Sequence, residues 1–463
     1  MAKEKKRTLW NFADSFEGDK VVWIIVLMLI LISIVCMFSS TSRLLKGDMT
    51  RVDLLKNHLF FTFIGLAIIV VCYNIKDIKV FRWCSKLGFP ISFILLALLL
   101  SKVNLPFVRS IEINGARRIL QFGGFQVHVF EVVKVAMVMY LAWAIDAFKK
   151  GELKLGRDKK TQKAIYIYGP FLVTLMMIIP GSNSAALFIG GLMFLVILLG
   201  GGNAKELFLL AGAAALLLFC CWGIYKVSDG KVMKRIGTGI SRIFKNDDDV
   251  AKFLASKKGT IEYQEALDAI RQPYSAKIAV HDGGLLGRGP GQSKQKYIVP
   301  DISEDYMFSF IIEEYGLWGA VLVIFLYLSL MARGSIIVRN CGTDTFAKLS
   351  VAGMCLLISG QAFLHMFVNA DIGPMTGQTL PLISHGTSAF LCFSLAFGII
   401  LSFSRIAARR IERETRNAEP LVEMHEVQVQ SGLDDLDSFE SGTMPEDIDG
   451  ADEMLKEEFG DLI

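Results

Sequence analysis

Residues 281–331 read HDGGLLGRGPGQSKQKYIVPDISEDYMFSFIIEEYGLWGAVLVIFLYLSLM, and this stretch decides the kind of fold. It begins as a glycine-rich loop with several cationic residues. It ends as an apolar run long enough to cross a bilayer, for which about 20 residues are needed. The charged loop therefore meets the membrane at Asp305. Because ionisable groups at membrane depth are costly and usually functional, Asp305 is the first candidate for a catalytic residue.

Apolar segments of similar length recur along the rest of the chain. They lie near residues 20–40, 57–75, 86–102, 127–147, 164–180, 184–200, 206–226, 346–369 and 380–404, and the segment after Asp305 covers 306–331. Hydrophobic residues make up 53% of the sequence, which is typical of a polytopic membrane protein rather than a soluble domain. The sequence therefore predicts an all-α polytopic membrane protein with about ten transmembrane helices.

The distribution of positive charge predicts the topology. Short loops that are rich in Lys and Arg stay in the cytoplasm, and residues 149–163 and 405–416 carry seven and five such side chains. An even number of helices then places both termini in the cytoplasm. The long loop 227–304, between helices 7 and 8, falls outside. The loops after the first and third apolar segments depart from this rule, since each carries four basic residues.

Composition divides the chain into three regions. Residues 1–19 form a cytoplasmic N-terminal segment, residues 20–410 form the transmembrane domain, and residues 411–463 form an acidic cytoplasmic tail. From residue 417 onward the tail holds 15 acidic residues and one lysine, a composition that predicts disorder. The tail is either a solvated segment or a docking segment for a cytoplasmic partner.

The external loop carries two features. Its first part, KVMKRIGTGISRIFKN at 231–246, spaces apolar residues at helical intervals, which predicts either a helix in the membrane interface or a solvated helix. Its second part places Arg288, Lys294 and Lys296 among glycines, whose N–H groups can approach a phosphate closely. It matches neither a P-loop nor a Rossmann fingerprint. A lipid phosphate or lipid-linked pyrophosphate is the candidate ligand, and an ordinary flexible loop is the alternative.

Cysteine and histidine patterns point to no metal site. The eight cysteines form no CxxC pair and the six histidines show no ligand spacing. We interpret the cysteines as small core residues and the histidines as polar fillers.

Four separated motifs resemble the SEDS family, the polytopic glycan polymerases of bacterial cell-wall synthesis that include RodA and FtsW. The matching positions are Gly283-Gly284, Gly287, Gly289, Gly291, Ser293, Gln295-Lys296, Pro300, Asp305 and Phe308; Asn114–Arg118; Glu131 and Lys134; and Asn369–Gly377 with Leu380–Ser388. The resemblance covers about residues 20–410. Two departures limit it. An acid that the family carries between the fifth and sixth helices is missing at Pro180–Ser184, and Asn57-His58 replaces an Arg-Gln pair.

The resemblance implies an inverting glycosyltransferase that uses lipid II, a disaccharide-peptide on undecaprenyl pyrophosphate, as donor and acceptor. Asp305 matches the family's catalytic aspartate and is the expected general base. The other expected substrate-binding residues are Arg117, Arg118, Glu131, Lys134, Arg288, Ser293, Lys294, Lys296, Glu314, Thr376 and Ser384. A helix N-cap for Asp305 and a structural ion pair for Glu131 and Lys134 are the alternatives. A divalent cation, Mg²⁺ or Mn²⁺, near Asp305 is a further expectation.

Partners and location follow from the same resemblance. Such polymerases work with a class B penicillin-binding protein, so we expect this transpeptidase and other divisome proteins as partners, and no nucleic acid. The charged segments at both ends favour an FtsW-like protein of the cytoplasmic membrane at the division septum over a RodA-like elongation polymerase. Two other classes stay open: a lipid II flippase or similar transporter, in which broken helices also occur, and a non-catalytic scaffold.

Overall fold

A computed structural model describes residues 17–40, 51–101, 103–113, 116–227, 253–256, 258, 260–299, 302–373 and 376–440. The predicted interfacial helix at 231–246 lies outside the described residues. So do residues 1–16 of the N-terminal segment and residues 441–463 of the acidic tail.

Helices dominate the described part of the chain. They are α1 (Lys20–Ser40), α2 (Arg51–Asn74), α3 (Ile78–Lys86), α4 (Gly88–Leu100), α5 (Val129–Lys150), α6 (Lys159–Lys163), α7 (Gly169–Ile178), α8 (Asn183–Leu199), α9 (Ala204–Val227), α10 (Ile261–Gly283), α11 (Met307–Asn340), α12 (Thr345–Asn369) and α13 (Thr387–Glu440). A π-helical turn, Ala164–Tyr168, joins α6 to α7, and a 3-10 turn covers Gln295–Tyr297.

Seven helical segments of the described residues are long and apolar enough to cross a membrane: α1, α2, α3 with α4, α9, α11, α12 and the first part of α13. The three other predicted segments are also helical. Two of them, α7 and α8, have only 10 and 17 residues, and α5 carries Glu131, Lys134 and Asp146. A mostly helical membrane protein is therefore confirmed, whereas the count of ten spans stays a prediction.

One part of the all-α prediction is wrong. Between α4 and α5 the chain forms a three-stranded antiparallel sheet of β1 (Val108–Ile113), β2 (Ala116–Phe122) and β3 (Phe125–His128), in that order. Apolar and polar residues alternate along residues 111–113 and 125–128, the period-two pattern that could have predicted strands. Contacts of β2 with α4 and α5 place the sheet at the ends of these helices.

The central helix is α5, with 15 of its 22 residues buried. It packs against α4, α8 and α12, and α12 packs in turn against α11. Small residues permit these close approaches. A Cβ at Gly353 of α12 would lie 2.5 Å from Val138 Cγ1 of α5, and one at Gly334 of α11 would lie 2.5 Å from Cys355 Sγ of α12. The helices that carry the predicted site residues are thus held tightly together.

A kink divides α11 at Gly316, whose φ of 69° and ψ of −167° are not helical. The kink leaves backbone carbonyls without helical partners, and the glycine-rich loop supplies the missing donors. The N–H groups of Arg288 and Gly289 donate to the carbonyl oxygens of Glu313 and Glu314, each at 2.9 Å. These two N–H groups are therefore bonded to protein.

The glycines of this loop allow its backbone to approach α11. A Cβ at Gly283 would overlap the carbonyl oxygen of Ile312, and one at Gly287, where φ is 77°, would overlap that of Glu314. The sequence leaves an anion-binding loop and a flexible loop as alternatives. The structure instead gives Gly283 and Gly287 a packing role against the kinked helix.

The described part of the acidic tail continues helix α13, which ends at Glu440. The disorder expected of the tail stays a prediction. Pairs of opposite charge one turn apart favour a helix. Arg410 Nε lies 3.3 Å from Glu414 Oε1, and Arg416 lies 4.0 Å from Glu412.

We predict that Gly287→Ala destabilises the protein by more than about 2 kcal/mol, because a β-carbon in the left-handed region is strained and also meets the Glu314 carbonyl. The measurement is the thermal unfolding midpoint of the purified protein in detergent. Gly284→Ala is the matched control, since Gly284 has a φ of 51° and nothing within 4 Å of its Cβ position. Equal losses for the two variants would contradict the packing role.

Candidate active site

Asp305 is half-buried in the turn that leads into α11. Asn369, at the end of α12, holds this turn from the side. Its Nδ2 donates to the Asp305 carbonyl oxygen at 3.1 Å, and its Oδ1 accepts from the N–H and hydroxyl of Ser309 at 2.9 and 2.8 Å. The N-cap residue of α11 is Tyr306, without a side-chain cap bond. Asp305 therefore lies one position before the cap.

A second element holds the same turn from the segment between α12 and α13. The Ser384 hydroxyl donates to the Glu304 carbonyl oxygen at 2.8 Å, and the His385 N–H donates to the Ser303 carbonyl oxygen at 2.8 Å. Ser384, predicted to bind substrate, thus bonds the backbone beside Asp305.

Residues 376–379, here named the connecting loop, join the Asp305 carboxylate to two helices. A Cβ at Gly377 would lie 3.6 Å from Asp305 Oδ2, so the carboxylate lies against this glycine. The carbonyl oxygen of Thr376 accepts from the Ser184 hydroxyl of α8 at 3.0 Å. That of Thr379 accepts from Gln361 Nε2 of α12 at 2.9 Å.

Lys134 bonds the connecting loop to the central helix. Its Nζ lies 2.7 Å from Glu131 Oε1, 2.5 Å from Gln361 Oε1 and 3.1 Å from Gln378 Oε1. The Lys134 side chain is 1% exposed, and a buried ammonium needs such partners for all three of its N–H bonds. The predicted Glu131–Lys134 pair is therefore real and belongs to a larger network.

Sequence reasoning missed a polar row on α12. Gln361, His365 and Asn369 follow one another at intervals of four residues and are all buried, so they share one face of the helix. The Phe308 N–H donates to His365 Nε2 at 3.4 Å, and His365 Nδ1 lies 2.7 Å from the Gln378 carbonyl oxygen. These partners assign the proton to Nδ1. Polar residues at this spacing in an apolar helix were the available signal.

Glu313 anchors the far end of the glycine-rich loop. Its buried carboxylate accepts from the Ser293 hydroxyl at 2.5 Å, the Lys294 N–H at 2.8 Å and the Gln295 N–H at 3.2 Å. These donors lie where the 3-10 turn begins, which favours an anionic acceptor. Ser293 therefore has a structural partner, whereas the Lys294 side chain is exposed.

Glu314 forms the neighbouring part of this buried cluster. Its Oε1 accepts from the Ser39 hydroxyl of α1 at 2.5 Å and lies 3.8 Å from Lys296 Nζ. Lys296 Nζ also donates to the Gly291 carbonyl oxygen at 2.7 Å. Both charged side chains are at most 2% exposed. Lys296 and Glu314 thus hold the loop on α1 and α11.

The predicted arginines have partners of their own. Arg117 on β2 pairs with Glu112 at 3.1 Å, and Arg288 pairs with Asp282. Arg118 donates to the Gly181 carbonyl oxygen at 3.4 Å. All three arginines are partly exposed, so each retains a surface toward a ligand.

The structure sorts nine of the predicted residues into three groups, while Arg288 and Lys294 lie at the surface of the glycine-rich loop. Glu131, Lys134, Thr376 and Ser384 lie around the connecting loop beside Asp305. Ser293, Lys296 and Glu314 form the buried cluster at the α11 kink. Arg117 and Arg118 lie on the sheet. Arg118 donates to Gly181, just before α8, and Ser184 in the first turn of α8 contacts the connecting loop.

The family profile of the FtsW, RodA and SpoVE cell cycle proteins matches residues 19–409. The chain belongs to this family. Its similarity to individual FtsW/RodA/SpoVE members is moderate. It is 29% identical to the probable peptidoglycan glycosyltransferase FtsW of Caulobacter vibrioides over 68% of this chain and 71% of that protein. It is 27% identical to the stage V sporulation protein E of Bacillus subtilis, over 84% of this chain and 97% of that protein.

Two solved structures share the fold of this FtsW/RodA/SpoVE protein. One is a chain from a peptidoglycan synthase complex whose polymerization and crosslinking are structurally coordinated. It is 18% identical, with a TM-score of 0.60, over 84% of this chain and 98% of that chain. The other is the rod shape determining protein RodA of Thermus thermophilus. It is 20% identical, with a TM-score of 0.54, over 84% of this chain and 97% of that chain.

We predict that Lys134→Met lowers the free energy of unfolding by about 3–5 kcal/mol, because it leaves the Glu131 carboxylate buried without its cation. Thermal unfolding in detergent measures the loss. Lys56→Met is the matched control: Lys56 also pairs with an acid three residues earlier, Asp53, but the two side chains are 73% and 52% exposed. An exposed pair contributes about 1 kcal/mol or less. A loss at Lys134 no larger than at Lys56 would show that the buried network does not stabilise the fold.

Proposed function

We propose that this chain is a peptidoglycan glycosyltransferase that polymerises lipid II into glycan strands on the outer face of the cytoplasmic membrane. The observation that carries the proposal is the half-buried Asp305 at the entrance of a membrane helix. Asn369 and Ser384 hold the backbone of its turn, and its carboxylate lies against Gly377 of the connecting loop. A carboxylate held rigidly at the level of lipid head groups suits a general base for a lipid-linked sugar. The relatives named as peptidoglycan glycosyltransferases support this choice.

In the proposed reaction the 4-hydroxyl of the acceptor's GlcNAc attacks the anomeric carbon of the donor's MurNAc. Asp305 accepts the hydroxyl proton as the new C–O bond forms. The bond between the anomeric carbon and the pyrophosphate oxygen breaks on the opposite face, so the configuration inverts and undecaprenyl pyrophosphate leaves. General-base catalysis contributes about 10²–10⁴-fold to such a rate.

Cationic side chains assist the departure of the pyrophosphate. Arg117, Arg118, Arg288 and Lys294 are partly or fully exposed, and arginine is suited to bidentate contact with phosphate. Lys296 has its charge beside Glu314 inside the protein. We therefore assign substrate contact to the four accessible cations and a supporting role to Lys296, Ser293 and Glu314.

The supporting residues act through the connecting loop. Lys134, paired with Glu131, donates to Gln378, and the preceding residue, Gly377, lies against the Asp305 carboxylate. Thr376 and Ser384 hold the same region through backbone contacts. These four residues position the catalytic carboxylate, and substrate contact with them stays a prediction.

A divalent cation near Asp305 also stays a prediction. Within the described part of the chain no group of three or more His, Cys, Asp or Glu side chains could hold a metal ion. Mg²⁺ and Mn²⁺ prefer several oxygen ligands. The described residues around Asp305 form no such set, and no step of the proposed reaction depends on a metal.

The proposal requires Asp305 to lie outside the cell. The clusters of Lys and Arg at 149–163 and 405–416 support cytoplasmic termini and an extracytoplasmic loop 227–304. In this orientation the lipid II substrate and the proposed class B penicillin-binding protein are on the side of Asp305. The similarity to a chain of a peptidoglycan synthase complex supports such a transpeptidase partner.

We predict that Asp305→Asn lowers the rate of glycan formation from lipid II at least about 100-fold, because the amide cannot accept the proton. The assay uses purified full-length protein with its class B penicillin-binding protein. Asp371→Asn is the matched control, since Asp371 lies two residues after Asn369 and pairs with Lys277 at 2.6 Å.

A parallel test addresses contact with the pyrophosphate. Arg117→Ala should raise the KM for lipid II, and Arg109→Ala on β1 is its matched control.

The outcome separates an enzyme from the alternative classes. A flippase or a scaffold would form no glycan from lipid II under any of these conditions. Full activity of Asp305→Asn would exclude Asp305 as the base. Loss of activity supports the assignment only if the variant unfolds at the same temperature as the unaltered protein.

We further propose a role in septal synthesis together with other divisome proteins. The charged segments at both ends of the chain favour this role over elongation. A fluorescently tagged copy should concentrate at midcell during division, as seen by microscopy. A uniform distribution along the lateral wall would instead support a RodA-like role.

A further inference from the structure

One end of the three-stranded sheet displays large apolar side chains. Leu105 and Phe107, in the turn before β1, are 57% and 79% exposed, and Phe125 at the start of β3 is 66% exposed. We name these three residues the apolar tip. The opposite end of the sheet is charged, since it carries the Glu112–Arg117 pair. The sheet is therefore amphipathic along its length.

Backbone hydrogen bonds fix the apolar tip. Leu105 and Val108 close the first turn by exchanging N–H···O bonds of 2.8 and 3.2 Å. Gly123 in the second turn donates to the Phe107 carbonyl oxygen at 3.0 Å, which ties the two turns together. Since these hydrogen bonds fix the backbone of both turns, a local rearrangement of the turns cannot bury the side chains of the tip. A fixed apolar surface of this kind indicates a binding surface.

The surface that adjoins the tip is that of a membrane helix. Leu105 follows Leu100, the last residue of α4, by five residues, a distance of at most about 18 Å along the chain. Along α4, Phe93, Ile94 and Leu100 are 45%, 56% and 40% exposed, as expected of a lipid-facing helix. The apolar tip thus lies close in the chain to a helix whose exposed side chains are apolar, as a lipid-facing helix requires.

Side chains around the tip suit the region of lipid head groups. Arg109, two residues after Phe107, and Gln126, one residue after Phe125, are exposed. Aromatic residues are enriched where a membrane protein meets the interface, and cations beside them can reach head groups. Lipid is therefore favoured over a protein partner as the occupant.

We propose that Leu105, Phe107 and Phe125 insert into the membrane leaflet on the Asp305 side and anchor the sheet to lipid. Five residues of β2 separate Phe122, at the apolar end, from Arg117, which is about 17 Å of strand. Because β1 and β2 are paired on both sides of one register shift between Ile111 and Glu112, anchoring the tip fixes the depth of Arg117 and Arg118. Their depth relative to a lipid pyrophosphate rests on the proposed function, whereas the anchoring does not.

The test measures lipid contact directly in the full-length protein. A genetically encoded fluorescent amino acid replaces Phe107, Phe125 or, as the matched control on the same sheet, Glu112. Each variant is reconstituted in phosphatidylethanolamine–phosphatidylglycerol nanodiscs with or without lipids brominated on the acyl chain. We expect several-fold stronger quenching by brominated lipid at 107 and 125 than at 112, and the reverse order for quenching by aqueous iodide.

Two results would overturn the proposal. One is equal quenching of the three probes by iodide, which would place the tip in water. The other is shielding of 107 and 125 only after addition of the class B penicillin-binding protein, which would make the tip a protein-docking surface. The probes at 107 and 125 test the insertion independently if one variant fails to fold. Repeating the measurement with Asp305→Asn keeps it separate from the proposed catalysis, since lipid contact does not require turnover.

Discussion

A lysine ammonium enclosed among membrane helices must find every hydrogen-bond acceptor within the protein, and this constraint organises the candidate site. Lys134 takes its acceptors from α5, α12 and the connecting loop. Separating any of these elements would leave a charge or an amide unpaired in a medium of low polarity, at a cost of several kcal/mol. The connecting loop is therefore held where Gly377 meets the Asp305 carboxylate. The contacts that neutralise Lys134 therefore also fix the position of the connecting loop beside Asp305.

Polar groups inside the bundle form two networks with different roles. The row Gln361, His365 and Asn369 on α12 holds the first turn of α11, and with it Asp305. The pair Glu313 and Glu314 holds the glycine-rich loop on the kink of α11. In the second network the N–H groups of Arg288 and Gly289 are bonded to carbonyl oxygens of α11. Cations that are accessible to an anion lie outside the buried part of this network, at Arg117, Arg118, Arg288 and Lys294.

The residues that surround Gly181, His58 and His385 give a structural context to the departures of this chain from the family motifs. At Gly181, in the segment that lacks the family's acid, a Cβ would lie 2.7 Å from the Phe130 ring and 3.0 Å from the Arg117 carbonyl oxygen. A larger side chain would not fit there without rearrangement. His58 and His385, both substitutions relative to the family motifs, lie with ring centroids 6.4 Å apart. These two substitutions are distant in the sequence but are neighbours in the structure.

The sequence alone determined the membrane class, the position of most helices, the family and the choice of Asp305, because long apolar runs and short motifs are local properties of a chain. It indicated the sheet only weakly, since alternation over three or four residues is a short signal. Only the tertiary structure decided that Ser293, Lys296 and Glu314 support a loop and that His365 and Asn369 hold the turn that carries Asp305. Those roles depend on which partner each polar group meets when water is excluded, and partners up to several hundred residues apart are set by the packing of helices.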